Sequence, residues 1–233
     1  MSDLRTTALS LFDAAVKRAD PAAALRTQLT NQPLPALPNG GRNIIIAIGK
    51  AASPLMKEAL DLIPEPRVAL SVTNPENLCD IPGATTLSGS HPVTDEISAA
   101  AGQAVIDLLK TATANDRVIA LVSGGGSALV VAPAPGLTLD DKAAVNELLL
   151  ASGLEINEMN LIRQQLSAIK GGGLLRHAAP VTAYILSDVI GDDLRAIASG
   201  PSATPIGTRE QARDIMQRVN IWQTAPASVR VHL

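Results

Sequence analysis

One stretch constrains the fold more than any other. Asn43-Ile-Ile-Ile-Ala-Ile48 is apolar on both faces, bounded by a glycine-containing loop before it and by Gly49-Lys50 after it. A strand apolar on both faces suits the middle of a parallel sheet, where helices cover each side. Four further segments repeat the theme. Arg67 to Thr73, Ala84 to Ser88, Arg117 to Val122 and Val181 to Leu186 read as strands. Helical stretches separate most of them, so the chain is expected to be α/β: a three-layer parallel sheet with helices on both faces.

The helices are read from spacing and caps. Leu4, Ala8, Leu11 and Ala15 recur at three and four residues, predicting an amphipathic helix at the start of the chain. Asp20-Pro21 predicts an N-cap and first-turn proline for a second helix to about Leu29. Asn31 to Gly41, with three prolines and two glycines, is a loop. A helical run follows Lys50 to about Leu62. Thr94 is expected to cap a helix from Asp95 to Thr111. Thr138 with Asp141, and Thr208 with Gln211, have capping-box spacing; Gly153 stops the first of these helices and Val219 ends the second. Asn157 to Ile169 reads as helix. Thr224 to Pro226 caps a last one from Ala227 to Leu233, where the pattern breaks off without a C-cap; a truncated chain and a frayed terminal helix both fit.

Composition excludes several classes. The net charge of -3 leaves no basic surplus for a nucleic-acid backbone, and 1% aromatic residues leave little for base stacking. Cys79 is the only cysteine, so there is neither a disulfide framework nor a cysteine zinc site. His91, His177 and His232 have no metal-ligand spacing. No apolar run approaches the roughly 20 residues of a membrane span, and the N-terminus lacks a signal-peptide core, so a cytoplasmic protein is expected. The oligomeric state stays open, a homo-oligomer included.

Chemistry concentrates where strands end. Ser123-Gly124-Gly125-Gly126-Ser127 follows a strand directly. Three glycines let backbone N–H groups converge on an anion, though a tight turn against another backbone would use them equally well. Leu129 stands where a dinucleotide fingerprint needs Gly or Ala, and no phosphate-loop motif occurs, which disfavours both standard nucleotide motifs. Lys50 puts an ammonium group at a strand end, suited to phosphoryl charge or simply to solvent. Lys170-Gly171-Gly172-Gly173 could form a second anion nest; a helix terminus with glycine stops is the plainer reading. Ser187 to Asp193 holds Asp188, Asp192 and Asp193, able to position a hydroxyl, hold Mg²⁺ or cap a helix. Ser199-Gly200-Pro201 is a turn that could close the site.

Five ordered motifs resemble one family: Ile48 to Ala52, Gly89 to Glu96, Leu121 to Leu129, Leu166 to Gly172, and Leu186 to Leu194 continuing to Pro201. Together they are similar to the bacterial glycerate 2-kinases, often labelled hydroxypyruvate reductases. The resemblance implies a Rossmann-like N-terminal domain over residues 1–233, lacking the family's smaller C-terminal domain. It implies ATP-dependent phosphorylation of D-glycerate at its 2-hydroxyl, with Mg²⁺. Lys50 and Asp188 match the family's catalytic positions. Ser123, Gly124, Gly125, Gly126 and Ser127, with Lys170, Gly171 and Gly172, match its substrate and phosphate loops. Asp192 and Asp193 are the candidate metal ligands. Thr94 replaces a usual proline, and Ser202-Ala203-Thr204-Pro205 departs from the usual Thr-Val-Pro-Asp. The alternatives are an NAD(P)H-dependent hydroxypyruvate reductase and a non-catalytic anion- or nucleotide-binding fragment.

Overall fold

A computed structural model describes every residue except Met1, Pro92 and Ala179, together with all side chains of the others save that of Ser2. Pro92 of the Gly89 to Glu96 motif therefore lies outside the described residues.

Five strands form one sheet: β1 (Asn43–Ile48), β2 (Arg67–Thr73), β3 (Thr85–Ser88), β4 (Arg117–Val122) and β5 (Val181–Ile185). Their order is β3-β2-β1-β4-β5, and every pair is parallel. Ile44, Ile46 and Ile48 of β1 face one core and Ile45 and Ala47 the other, as the period of two requires. All six residues of β1 are buried, which is why the strand carries no polar alternation.

Helices α1 (Ser2–Arg18), α2 (Pro21–Asn31), α3 (Ala52–Leu62) and α4 (Glu96–Lys110) come before β4 and its glycine turn. After that turn come α5 (Gly126–Leu129), α6 (Leu139–Ala151), α7 (Ile156–Gln165) and α8 (Gly173–His177). The chain closes with α9 (Arg209–Arg218) and α10 (Ala227–His232). Leu25, Leu55 and Met56 of α2 and α3 fill one side of the sheet; Val105 and Leu109 of α4, Leu129 of α5 and Leu174 of α8 fill the other. A third core contains no strand, joining Val145 and Leu149 of α6 to Ile162, Met216 and Val229. Helix α1 stays outside all three, with Leu4, Leu11 and Phe12 exposed. No helix among the described residues is long and apolar enough to cross a membrane.

Both capping boxes form as expected, and Asp20 caps α2 through Ala23 N–H at 2.9 Å. Two helix boundaries are set by residues other than those expected. Asp95, not Thr94, caps α4, because its carboxylate accepts from the Ile97 and Ser98 N–H groups. Helix α7 stops at Gln165 rather than Ile169. There the chain turns to bridge Ser167 to Pro133, and Ser167 Oγ takes the Ile169 and Lys170 N–H groups.

Candidate active site

In this strand order the direction of winding reverses between β1 and β4, and ligands of open α/β sheets bind beyond the carboxyl ends of strands at such a point. The turns after β1 and β4 are sewn together there. Ser123 N–H donates to Ile48 O at 2.9 Å, and Lys50 N–H to Gly124 O at 2.9 Å. Ala51 N–H donates to Ser123 Oγ at 3.1 Å. The approach is close enough that only glycine fits at position 49. A Cβ there would lie 2.2 Å from Ser123 Oγ, and φ is +122°.

The glycine loop draws the candidate side chains together. An added Cβ on Gly124 would lie 2.0 Å from Asp188 Oδ2, so the carboxylate rests against the loop backbone. An added Cβ on Gly125 would meet Lys50 Cε at 3.2 Å and His91 Cδ2 at 3.5 Å. Lys50 and Asp188, far apart in the chain, thus flank consecutive glycines. Among the described residues, no protein acceptor takes the N–H groups of Gly124, Gly125, Gly126 or Ser127. They are the free donors that an anion nest needs.

Three participants were not read from the sequence as part of this site. Asn77 Nδ2 donates to Lys50 O at 3.0 Å and to Asn74 Oδ1 at 2.9 Å, tying the turn after β2 to the lysine. Asn74 Nδ2 also donates to Glu76. That bond, with the charges of His91 and Lys50 as lesser causes, holds the Glu76 carboxyl below its ordinary range. The Asn74-Pro75-Glu76-Asn77 turn at a strand end was the available signal. His91 reaches the site because Asp95 anchors its loop, accepting from Ser90 Oγ at 2.6 Å. The Ser90 bond is also the main reason the Asp95 carboxyl is held low.

Other candidates are engaged elsewhere. Asp193 is paired with Arg195, Oδ2 to Nη2 at 2.9 Å, and this bond lowers its carboxyl. Asp192 sits in a left-handed turn at φ +53°. No group of three metal-ligating side chains occurs among the described residues, so a Mg²⁺ here would be held by one or two carboxylates together with nucleotide phosphates. Gly171 and Gly172 spend their N–H groups on Ser199 O at 3.0 Å and Gly200 O at 2.8 Å, leaving no free nest. The segment they bond to is strained: Ala198 and Ser199 lie at φ +49° and +62°, and the Ala198 side chain abuts Gly126.

Lys170 is half-buried as a residue, within dense surroundings. Burial, then Lys142 and Arg163, pull its pKa down to about 7; burial and Arg163 pull Lys142 to about 8. Both values lie below the ordinary lysine value of 10.5, so between pH 7 and 10 the unfolded chain binds more protons than the folded one. Stability should therefore rise with pH through this window. Urea midpoints at pH 7 and pH 9 should show the increase, and Lys170→Met should shrink it.

The chain as a whole is similar to known proteins. Residues 7–233 match a domain family described as a domain of unknown function, DUF4147. A glycerate 2-kinase of Pyrococcus horikoshii is 35% identical, over 99% of this chain and 54% of its own length. An Agrobacterium vitis protein named as a hydroxypyruvate reductase is 42% identical, over 96% of this chain and 50% of its own. The crystal structure of a Thermotoga maritima glycerate kinase superposes with a TM-score of 0.90 at 30% identity, covering all of this chain and 55% of that one. The chain spans about half the length of the curated relatives it matches. With a five-stranded parallel sheet, its glycine turns at the switch point and a match over nearly its whole length, the chain belongs to the DUF4147 domain family, and it is similar to proteins named glycerate kinases.

Proposed function

We propose that this domain carries the phosphoryl-transfer half of a glycerate 2-kinase site, using ATP to phosphorylate D-glycerate at its 2-hydroxyl in the cytoplasm. One observation carries the reading: at the β1/β4 switch point, Lys50, Asp188 and four unpaired N–H groups surround the same three glycines. In this reading Asp188 accepts the proton of the substrate hydroxyl as its oxygen attacks the γ-phosphorus. The bond to the bridging β,γ-oxygen breaks and ADP leaves. Lys50 and the loop N–H groups stabilise charge on the transferred group. Glu76 and Asn77 hold Lys50 and its turn in place. Mg²⁺ enters on the nucleotide, as part of the substrate.

The reductase reading rests on a relative's name alone. Leu129 is fully buried, where a dinucleotide site would need a glycine or alanine against the pyrophosphate. Incubating the chain with MgATP and D-glycerate, with ³¹P NMR of the products, tests the proposal. It predicts 2-phosphoglycerate and ADP in equal amounts. Oxidation of NADH by hydroxypyruvate, with no phosphoglycerate formed, would replace it with the reductase.

A further inference from the structure

Strand β3 lies two places from β1 in the sheet, yet the loop after it ends at the glycine turn. Contacts with other elements bring it there. Gly89 N–H donates to Thr73 O at 2.8 Å. An added Cβ on Gly89 would lie 2.1 Å from Leu129 O, so the loop is pressed onto the last residue of α5. Ser90 is held more firmly still. Its N–H donates to Ser98 Oγ at 2.8 Å, that hydroxyl donates back to Ser90 O at 3.3 Å, and the Ser90 hydroxyl donates to Asp95 at 2.6 Å.

Two clamped residues therefore lead into His91, whose own side chain is exposed. His177 and His232 each set Nε2 against a backbone carbonyl, Ala168 O at 3.2 Å and Gln165 O at 2.9 Å. Among the described residues, no such partner takes a ring nitrogen of His91. A rigid base that carries a polar side chain with uncommitted donors is the build of a ligand contact.

The ring lies where a second donor is needed. An added Cβ on Gly125 would meet Lys50 Cε at 3.2 Å and His91 Cδ2 at 3.5 Å, so the two side chains share one glycine. D-Glycerate carries its carboxylate and its 2-hydroxyl on adjacent carbons, which sets a fixed anion beside the reacting oxygen. Asp188 rests against Gly124, one residue along, and its charge repels a second carboxylate unless a cation or an N–H donor offsets it. Lys50 is engaged by the transferred group in the proposed reaction. Arg195, beyond Asp188 in the same loop, is paired with Asp193.

We propose that His91 recognises the carboxylate of the 2-hydroxy acid substrate, leaving Lys50 to the transferred phosphoryl group. The proposal rests on the glycerate 2-kinase reading and names the residue that selects an acid over its uncharged analogues. An imidazole N–H donates to one carboxylate oxygen, and the ionised acceptor makes the bond charge-assisted. The carboxylate keeps its charge throughout the transfer. Its bond to His91 therefore contributes to substrate affinity more than to the chemical barrier.

D-Glycerate and its methyl ester separate the carboxylate from the rest of the substrate. In the parent chain, ¹H–¹⁵N correlation spectra of the histidine rings should show the His91 nitrogens moving with D-glycerate and not with the ester, while His177 and His232 stay in place. Calorimetry without nucleotide should find D-glycerate bound about tenfold or more tighter than the ester, the worth of one charge-assisted bond. His91→Leu should weaken D-glycerate by about tenfold and leave the ester and ATP within about twofold. Thermal unfolding checks that this exposed substitution leaves the fold intact, and the ring spectra need no variant at all.

Equal binding of acid and ester, absence of D-glycerate binding, or an unchanged preference in His91→Leu would overturn the proposal. A His91-dependent preference for the acid, with no phosphoglycerate seen by ³¹P NMR, would support the carboxylate contact and count against the phosphoryl-transfer reading alone. Phosphoglycerate formed with the same KM for D-glycerate in parent and His91→Leu would do the reverse.

Discussion

Gly49→Ala is expected to destabilise the domain by about 4 kcal/mol, the sum of a strained positive φ and of overpacking. The position has no room to relax. Its added Cβ would sit 2.2 Å from Ser123 Oγ and 2.5 Å from Ser123 O, where φ is +122°. The atoms in the way are not a flexible tip, because one is backbone. Ser123 is buried and held by Ile48 O and Ala51 N–H, so it cannot step aside without breaking the seam between β1 and β4. Small domains are stable by only about 5 to 15 kcal/mol, so a large part of the folded population is at risk. Urea unfolding followed by circular dichroism reads the loss. A variant within 1 kcal/mol of the parent would show that the two turns are not locked together as described.

The second large effect is chemical. Lys50→Ala should lower glycerate phosphorylation by about 10²- to 10³-fold, the usual loss when one donor aimed at transition-state charge is removed. The side chain is exposed, and its backbone carries the contacts to Gly124 and Asn77, so the variant should fold normally. The loss should lie in kcat more than in KM, because the proposed role is to stabilise charge developing on the transferred group. The same change at the matching lysine of a full-length relative provides a second arm. Turnover near that of the parent in either protein would remove Lys50 from the catalytic role.

The sheet was legible because burial on both faces writes a continuous apolar run. β1, β2 and β4 lie where Asn43–Ile48, Arg67–Thr73 and Arg117–Val122 were expected. Local rules likewise located the capping boxes of Thr138 and Thr208. What depended on distant partners was harder to see. The end of α7 is decided by Pro133 and Ala132 meeting residues 167 and 168, a contact between separate segments. The all-helical core of α6, α7, α9 and α10 follows from packing among helices and has no strand signature.

The site divides in the same way. Lys50, Asp188 and the Ser123–Ser127 loop were legible because glycine turns at strand ends mark a sheet's ligand edge. Glu76, Asn77 and His91 join them only because the strand order sets β2 beside β1 and β3 beside β2. Gly171 and Gly172 resembled a nest, but their N–H groups are taken by Ser199 and Gly200, residues some thirty positions later. Asp193 was a candidate metal ligand or helix cap by sequence, and Arg195, two residues on, folds back onto it.

The central claim is that the loops beyond β1, β4 and β5 form one substrate site. Amide chemical-shift mapping of the ¹⁵N-labelled chain during titration with D-glycerate and metal-free ATP tests it most directly. The account predicts that D-glycerate perturbs residues 49–51, 123–127 and 186–189, and that ATP perturbs these and the turn around Lys170. Shifts confined to other surfaces, or none in the Gly124–Ser127 amides, would contradict it.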